Sequence, residues 1–147
     1  MNCVVRPTTK HNNPVMTVDE LVRIFYDRFW NRIELSVADE ILHLDVVFRG
    51  SVGVGVSGRE AVCDYVRMVT TALSDYRCDV ETLVVDGSRA AARVRFSGVH
   101  RGEFLGHAPT RRRVEWIGAA FFVEEDAALR DIWVLGDLTS LRAQLAD

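Results

Sequence analysis

The sequence predicts an α+β fold in which helices come first and antiparallel strands follow. In the first half of the chain, apolar residues recur every three or four positions, as they do on amphipathic helices. From Tyr76 onward apolar and polar residues alternate instead, which is typical of strands with one buried face. The chain has 147 residues, of which 48% are hydrophobic, so it fits one compact domain with one core.

Composition and charge exclude several classes of function. The net charge is −3 and the basic run Arg111–Arg113 is short, so nucleic-acid binding has little electrostatic support. No apolar run reaches the roughly 18 residues of a membrane span, and the N-terminus lacks an apolar signal core. Cys3, Cys63 and Cys78 are scattered and odd in number, which predicts reduced thiols rather than disulfides or a metal site. We therefore expect a soluble, cytoplasmic protein.

The first helix is predicted to begin at Thr17, which forms a capping-box pattern with Glu20. Residues 1–16 contain prolines and show no periodicity, so we expect them to be a tail outside the domain formed by residues 17–147. An apolar stripe follows the cap at helical spacing. Tyr26 and Trp30 flank this stripe, and their rings could either complete the core or face a ligand pocket.

The segment from residue 36 to residue 74 is predicted to contain two more helices and a strand. A second capping-box pattern, Ser57 to Glu60, predicts a long helix that ends near Ser74. The elements before it are a short helix over Ser36–Leu44 with Ile41 and Leu44 inward, a strand over Asp45–Arg49 that includes Phe48, and a glycine-rich loop or cavity rim over Ser51–Gly58.

The second half of the chain is predicted to form antiparallel strands joined by short turns. Asp86-Gly87 is a hairpin signal, and Asp137 is a possible N-cap of a short terminal helix. The predicted strands are Tyr76–Val85, Arg89–His100, Val114–Val123 and Leu129–Leu135.

Strand alternation then predicts which side chains share a face. It groups Phe96 with His100 on one strand, Trp116 with Phe122 on the next, and Trp133 with Leu135 and Asp137 on the last. We hypothesise that a histidine and a carboxylate share an aromatic-lined face, although alternation does not say which face is the inner one. The opposite face of the strand Val114–Val123 is apolar and predicts a homodimer interface. Its residues are Ile117, Ala119, Phe121 and Val123.

Several motifs occur together in the second half of the chain. They are Gly98-Val-His100-Arg-Gly102-Glu-Phe-Leu-Gly106, Pro109-Thr110, Arg113-Val-Glu-Trp116 and Trp133-x-x-x-Asp137. This order resembles the SnoaL-like polyketide cyclases of the NTF2-like superfamily, over about Val18 to Leu145. The resemblance implies a cone-shaped barrel, with a curved antiparallel sheet wrapped around N-terminal helices and an enclosed hydrophobic cavity. It also implies a homodimer that cyclises a polyketide-like, apolar and oxygenated substrate by acid/base catalysis without a cofactor, in secondary-metabolite biosynthesis.

Such a reaction needs a base, a donor to the enolate oxygen and a cavity that folds the substrate. Asp137 and His100 are the acid/base candidates. Asp137 is equally well explained as a helix cap, and His100 by a pocket or turn-stabilising role. The candidate substrate-binding residues are Tyr26, Trp30, Phe48, Phe96, Trp116 and Trp133, and no metal ligand is predicted.

Departures from the family pattern keep other functions open. Many relatives carry an acidic residue three positions before the final Asp, where this chain has Val134. An epoxide-opening hydrolase or cyclase could use Asp45 or Glu60 instead, but Arg95 lacks the Asp two positions later that is typical of limonene-epoxide-hydrolase-like enzymes. A non-catalytic binding module is the third possibility, and a cavity too small for a tricyclic ligand would favour it.

Overall fold

The computed structural model describes residues 15–146, so most of the predicted tail lies outside the described residues. It has the predicted α+β architecture, with a curved six-stranded sheet packed on N-terminal helices. The helices are α1 (Val18–Ile24, continued by a π-helical turn Phe25–Trp30), a 3-10 turn (Leu35–Val37), α2 (Ala38–Ile41), α3 (Arg59–Ala72) and α4 (Leu138–Ala146). The strands are β1 (Leu42–Arg49), β2 (Gly55–Ser57), β3 (Leu73–Asp86), β4 (Arg89–His100), β5 (Arg113–Glu125) and β6 (Ala128–Gly136).

The strand order in the sheet is β2-β1-β6-β5-β4-β3. Neighbouring strands are antiparallel except β1 and β6, which run parallel and place Phe48 opposite Ile132. The parallel pair is a departure from the antiparallel sheet that was predicted. Turn signals report only on strands that are adjacent in sequence, and β1 and β6 are far apart. Their pairing joins β1 and β2 to the four antiparallel strands β6, β5, β4 and β3.

The predicted capping box at the start of α1 is confirmed. The Glu20 backbone N–H donates to Thr17 Oγ1 over 3.3 Å, and the Thr17 N–H donates to Glu20 Oε1 over 2.9 Å. The helix then widens into the π-helical turn, whose four aromatic residues are all buried. Asn31 follows this turn and hydrogen-bonds both backbone groups of Cys78, over 2.9 and 2.8 Å. These two bonds hold the turn against β3.

Two local predictions before α3 are wrong. The short helix ends at Ile41 and β1 begins at Leu42, so Leu44 is a strand residue that is 71% exposed rather than inward. The capping box at Ser57 does not form, because Ser57 is paired with Val47 in the ladder between β2 and β1. Gly58, with φ +91°, takes the cap position without a side-chain hydrogen bond. In both places sheet pairing overrides a helical signal that is local in sequence.

Cross-strand pairing settles which face of the sheet is the inner one. Phe122 lies opposite Ile132 and both are buried, whereas Phe121 lies opposite Trp133 and both are exposed. The outward orientation predicted for the set that contains Phe121 is therefore confirmed. The hypothesis that His100 and Asp137 share a face is wrong: His100 is fully buried, while Asp137 follows the last strand and is exposed.

Candidate functional site

A small cavity lies between the helices and the inner face of the sheet. Its volume is about 10 Å³, which is close to the space that one water molecule occupies. Nine residues line it: Phe25, Tyr26, Trp30, Phe48, Ser51, Tyr65, Tyr76, Phe96 and Val134. Four of the six aromatic residues predicted to bind substrate are therefore brought together here, and most of the remaining wall is also apolar or aromatic.

The other two predicted substrate-binding residues lie elsewhere. Trp116 is buried behind the cavity wall, with its ring 5.4 Å from that of Phe96 and 6.2 Å from that of Tyr76. Trp133 is on the outer face of the sheet, where its ring is 5.9 Å from that of Phe121 and 5.3 Å from the guanidinium of Arg49. Trp116 therefore packs on two residues of the cavity wall, whereas Trp133 lies on the opposite side of the sheet from the cavity.

Three tyrosine hydroxyls lie within this aromatic interior. Tyr65 Oη accepts a hydrogen bond from the Val52 backbone N–H over 3.2 Å, whereas Tyr26 Oη has no partner among the described protein atoms. Burial raises the pKa of Tyr65 to about 12, and it also raises the pKa of Tyr26 and of Tyr76 well above the ordinary value. At neutral pH these hydroxyls keep their protons, so they can donate hydrogen bonds but cannot serve as bases.

His100 anchors the connection between β4 and β5 and is absent from the cavity wall. Its Nδ1 accepts the Thr110 backbone N–H over 3.1 Å, so a neutral ring carries its hydrogen on Nε2. Backbone bonds link His100 to Arg112 over 2.9 Å and to Arg111 over 2.8 Å. This geometry matches the turn-stabilising alternative for His100, while its proposed part in proton transfer stays a prediction.

Asp137 caps the terminal helix. Its Oδ1 accepts the Ser140 backbone N–H over 3.1 Å, and its side chain is exposed. Asp45 and Glu60, the carboxylates considered for epoxide opening, are also exposed. Among residues 15–146, no carboxylate lines the cavity. Val134, at the position where an acidic residue would match the family pattern, is part of the cavity wall.

One group of potential metal ligands occurs in the described part of the chain. His43 Nε2 lies 3.6 Å from Asp126 Oδ2 and 3.9 Å from Glu125 Oε2 at the turn between β5 and β6. The Asp45 backbone N–H donates to His43 Nδ1 over 3.0 Å, so a neutral ring carries its hydrogen on Nε2. In that form Nε2 presents an N–H to the carboxylates rather than a lone pair to a metal, so the group is better described as a polar contact of histidine with two carboxylates.

The cysteines of the described chain offer no nucleophile to the site. Cys63 and Cys78 are free and buried, and burial raises the pKa of both thiols. They stay protonated at neutral pH and fill space in the core. Within residues 15–146, no helix is long and apolar enough to cross a membrane.

The fold and its interior define a cone-shaped α+β domain of the NTF2-like type, with an aromatic cavity enclosed between helices and sheet. Comparison with known proteins makes the assignment more specific. The sequence model of the SnoaL-like polyketide cyclase family matches residues 20–145. The chain therefore belongs to the SnoaL-like polyketide cyclase family. A search of curated proteins gave no match.

Solved structures share the fold at low identity. A protein from Jannaschia sp. CCS1, assigned as a SnoaL-like polyketide cyclase, is 19% identical with a TM-score of 0.81, covering 91% of this chain and 95% of its own. A SnoaL-like polyketide cyclase from Agrobacterium tumefaciens is 23% identical with a TM-score of 0.74, covering 88% and 98%. An LEH-like epoxide hydrolase from Mycobacterium tuberculosis is 12% identical with a TM-score of 0.69, covering 88% and 89%. At these identities the three structures show the fold alone.

Proposed function

We propose that this protein binds an apolar, oxygenated, polyketide-like molecule in its aromatic interior and closes a ring in it by an intramolecular aldol reaction, without a cofactor. The observation that carries the proposal is the small aromatic cavity, whose wall includes Tyr26, a residue with a buried and unpaired hydroxyl. An apolar enclosure can fold a flexible substrate so that its ends meet, and this removes much of the entropic barrier to cyclisation. Membership of the cyclase family supports this reaction class.

Among residues 15–146, the cavity wall includes proton donors but no carboxylate or histidine that could act as a base, and the proposed chemistry follows from that. The substrate reacts as its enol, whose carbon attacks a second carbonyl carbon and forms the new C–C bond. Tyr26 gives its proton to the oxygen of the attacked carbonyl, and the enol hydroxyl returns a proton to Tyr26 as it becomes a ketone. The product is an isomer of the substrate, so no co-reactant is consumed. The raised pKa of Tyr26 keeps it in the protonated form that this role needs.

A cavity of about 10 Å³ must open to admit a substrate. We propose that the segment from residue 50 to residue 54 moves, because Ser51 is the one lining residue outside a helix or strand. This segment is held to α3 by the bond from the Val52 N–H to Tyr65 Oη. Breaking that bond would remove the hydrogen bond that ties the segment to α3.

The same small cavity, with no carboxylate among its lining residues, favours a second candidate function. A domain that binds an apolar ligand without transforming it needs donors and an apolar wall, but no base. In this alternative the protein carries or protects its ligand. The two candidates differ in whether the bound molecule is released unchanged.

The deciding experiment incubates the purified protein with a panel of aryl β-ketoesters that can close a six-membered ring. Mass spectrometry and NMR would detect a product of unchanged mass with one additional ring. We expect this product with the wild type and a large loss of rate with Tyr26→Phe. Binding without any product would favour the binding module. In a parallel incubation with an aryl epoxide, a diol that gains one ¹⁸O from labelled water only in the presence of the protein would indicate the epoxide-opening alternative.

We also propose that the protein is a homodimer through the outer face of β5 and β6. Four large apolar side chains on this face are 39–52% exposed: Ile117, Phe121, Trp133 and Leu135. Such a patch is costly to leave in water, and a second copy offers a matching surface. Light scattering at micromolar concentration should give twice the chain mass of 16.6 kDa, and Phe121→Asp should give the monomer mass. A monomer mass for the wild type would contradict the proposal.

A further inference from the structure

The outer face of the sheet has an exposed aromatic side chain on one side of β5 and a hollow on the other. Trp133 on β6 is 40% exposed, and its Cα partner on β5 is Phe121. The Cα partner of Phe121 on β4 is Ala91, which lies in a hollow of about 150 Å³. The residues that line the hollow are Val84, Asp86, Arg89, Ala90, Ala91 and Phe121. A large side chain and a hollow that flank one strand suit an isologous interface, because each copy offers both parts.

Two opposite charges flank β5 in the next row of the outer face. Arg89 on β4 and Asp131 on β6 are both Cα partners of Val123 on β5, and both are exposed. Their strands lie two strand spacings apart, roughly 10 Å, which is too far for an ion pair within one chain. Among residues 15–146, neither makes an ion pair, although Asp86 is the Cα partner of Arg89 on β3. Each copy therefore presents an unpaired cation on one side of β5 and an unpaired anion on the other.

A two-fold axis that runs along β5 would bring these parts together. Two copies related by this axis pack face to face, with β4 of each copy over β6 of its partner. Trp133 then lies over the partner's Ala91, at the hollow, and Asp131 lies over the partner's Arg89. Two-fold symmetry makes each of these contacts occur twice. One operation therefore matches both the shape and the charge of the face.

An axis at right angles to the strands gives a poorer match. If it passed over Phe121, it would place Trp133 over the partner's Trp133 and Arg89 over the partner's Arg93. Like charges that face each other across an interface are unfavourable. We infer that a second copy of this chain docks along β5, with Trp133 in the partner's hollow and Asp131 paired with the partner's Arg89. The inference rests on the proposed homodimer, to which it adds the arrangement of the two copies.

Charge reversal tests the proposed ion pair. Asp131→Arg alone places two arginines opposite each other at both contacts, and Arg89→Asp alone places two aspartates there. We expect each variant by itself to raise the dimer dissociation constant by roughly tenfold or more in sedimentation equilibrium, with circular dichroism verifying that both are folded. An equimolar mixture should form a dimer with one copy of each variant, because both of its contacts join opposite charges, and native mass spectrometry identifies this heterodimer by its mass. Glu103→Arg makes the same charge change in the loop beside α3 and should keep the wild-type dissociation constant.

A second set of variants tests the hollow. Trp133→Ala removes the side chain that would enter it, and Ala91→Leu fills it from within, so each should weaken the dimer by roughly tenfold. Met68→Ala, at an apolar residue of α3 that is 44% exposed, is the control and should stay within about twofold of the wild type. If the two charge variants dimerise no better mixed than alone, or if the dimer is unaffected by both hollow variants, the arrangement is wrong while the homodimer stands. A monomeric wild type would overturn the homodimer, and the arrangement with it.

Discussion

Replacing Tyr26 and Tyr65 by phenylalanine should change stability in opposite directions, although both variants lose one buried hydroxyl. Tyr26 Oη has no partner in the protein, so its removal relieves a desolvation cost. We expect Tyr26→Phe to raise the free energy of unfolding by about 1 kcal/mol. Tyr65→Phe leaves the Val52 N–H, whose residue is 8% exposed, without an acceptor. That variant should lose about 1–3 kcal/mol.

The two variants should therefore differ by about 2–4 kcal/mol in urea unfolding at pH 7, with unchanged dependence on urea concentration. For a chain of this length, each kcal/mol corresponds to about 2–4 °C in Tm. The Phe substitution conserves the ring in both cases, so packing changes cancel in the comparison. If Tyr26→Phe were destabilised as much as Tyr65→Phe, Tyr26 Oη would have a partner in the free protein. The reason for assigning it to a ligand would then be lost.

Three further predictions concern the acid/base groups and pH. Asp137→Asn should keep both stability and turnover, because Asn is also a good N-cap, whereas Asp137→Ala should lower the free energy of unfolding by about 1 kcal/mol. A large loss of turnover in Asp137→Asn would instead support Asp137 as the acid/base. Val134→Asp places a carboxylate in the cavity wall, so it should lower stability but speed cyclisation relative to Val134→Asn. Equal rates in the two folded variants would show that cyclisation is not limited by the lack of a base. Burial raises the folded-state pKa of Tyr26, Tyr65 and Tyr76, so the unfolded chain loses these protons at lower pH than the folded chain. Stability should therefore fall as pH rises above about 10, and a free energy of unfolding that stays constant to pH 11 would refute this.

The sequence predicted the elements more accurately than the site, and particular residues show why. The cap at Thr17, the hairpin at Gly87 and the cap at Asp137 depend on neighbours within a few positions, and all three form. Leu44 and Ser57 carried equally good local signals, but pairing with distant strands decided their conformation. A local pattern predicts an element well only where no long-range pairing competes for the same backbone groups.

The site was predicted only in part, and the reason is the same. Alternation correctly grouped Phe96 with His100, and both are buried. It could not say which face is the inner one or place Trp133, because the face of β6 is set by its register with β5. Tyr65 was visible on the apolar stripe of its helix, yet nothing in the stripe shows that its hydroxyl meets the 50–54 segment. Which buried polar atoms remain unpaired is a property of the assembled interior. Tyr26 could be named from sequence only as an aromatic residue.

The π-helical turn at Phe25–Trp30 makes this part of the chain tolerant of losing one residue but not of gaining one. A π turn holds about one residue more than an α turn, so deleting one residue would let the helix close as a regular α-helix and leave the flanking residues in nearly the same orientation. An added residue has no such outlet, and it would rotate the residues after it by about 100° relative to those before it. Either Tyr26 would leave the cavity wall or Asn31 would lose its two bonds to Cys78. Homologous chains with an insertion at this turn would therefore have differently lined interiors, even where their aromatic residues align.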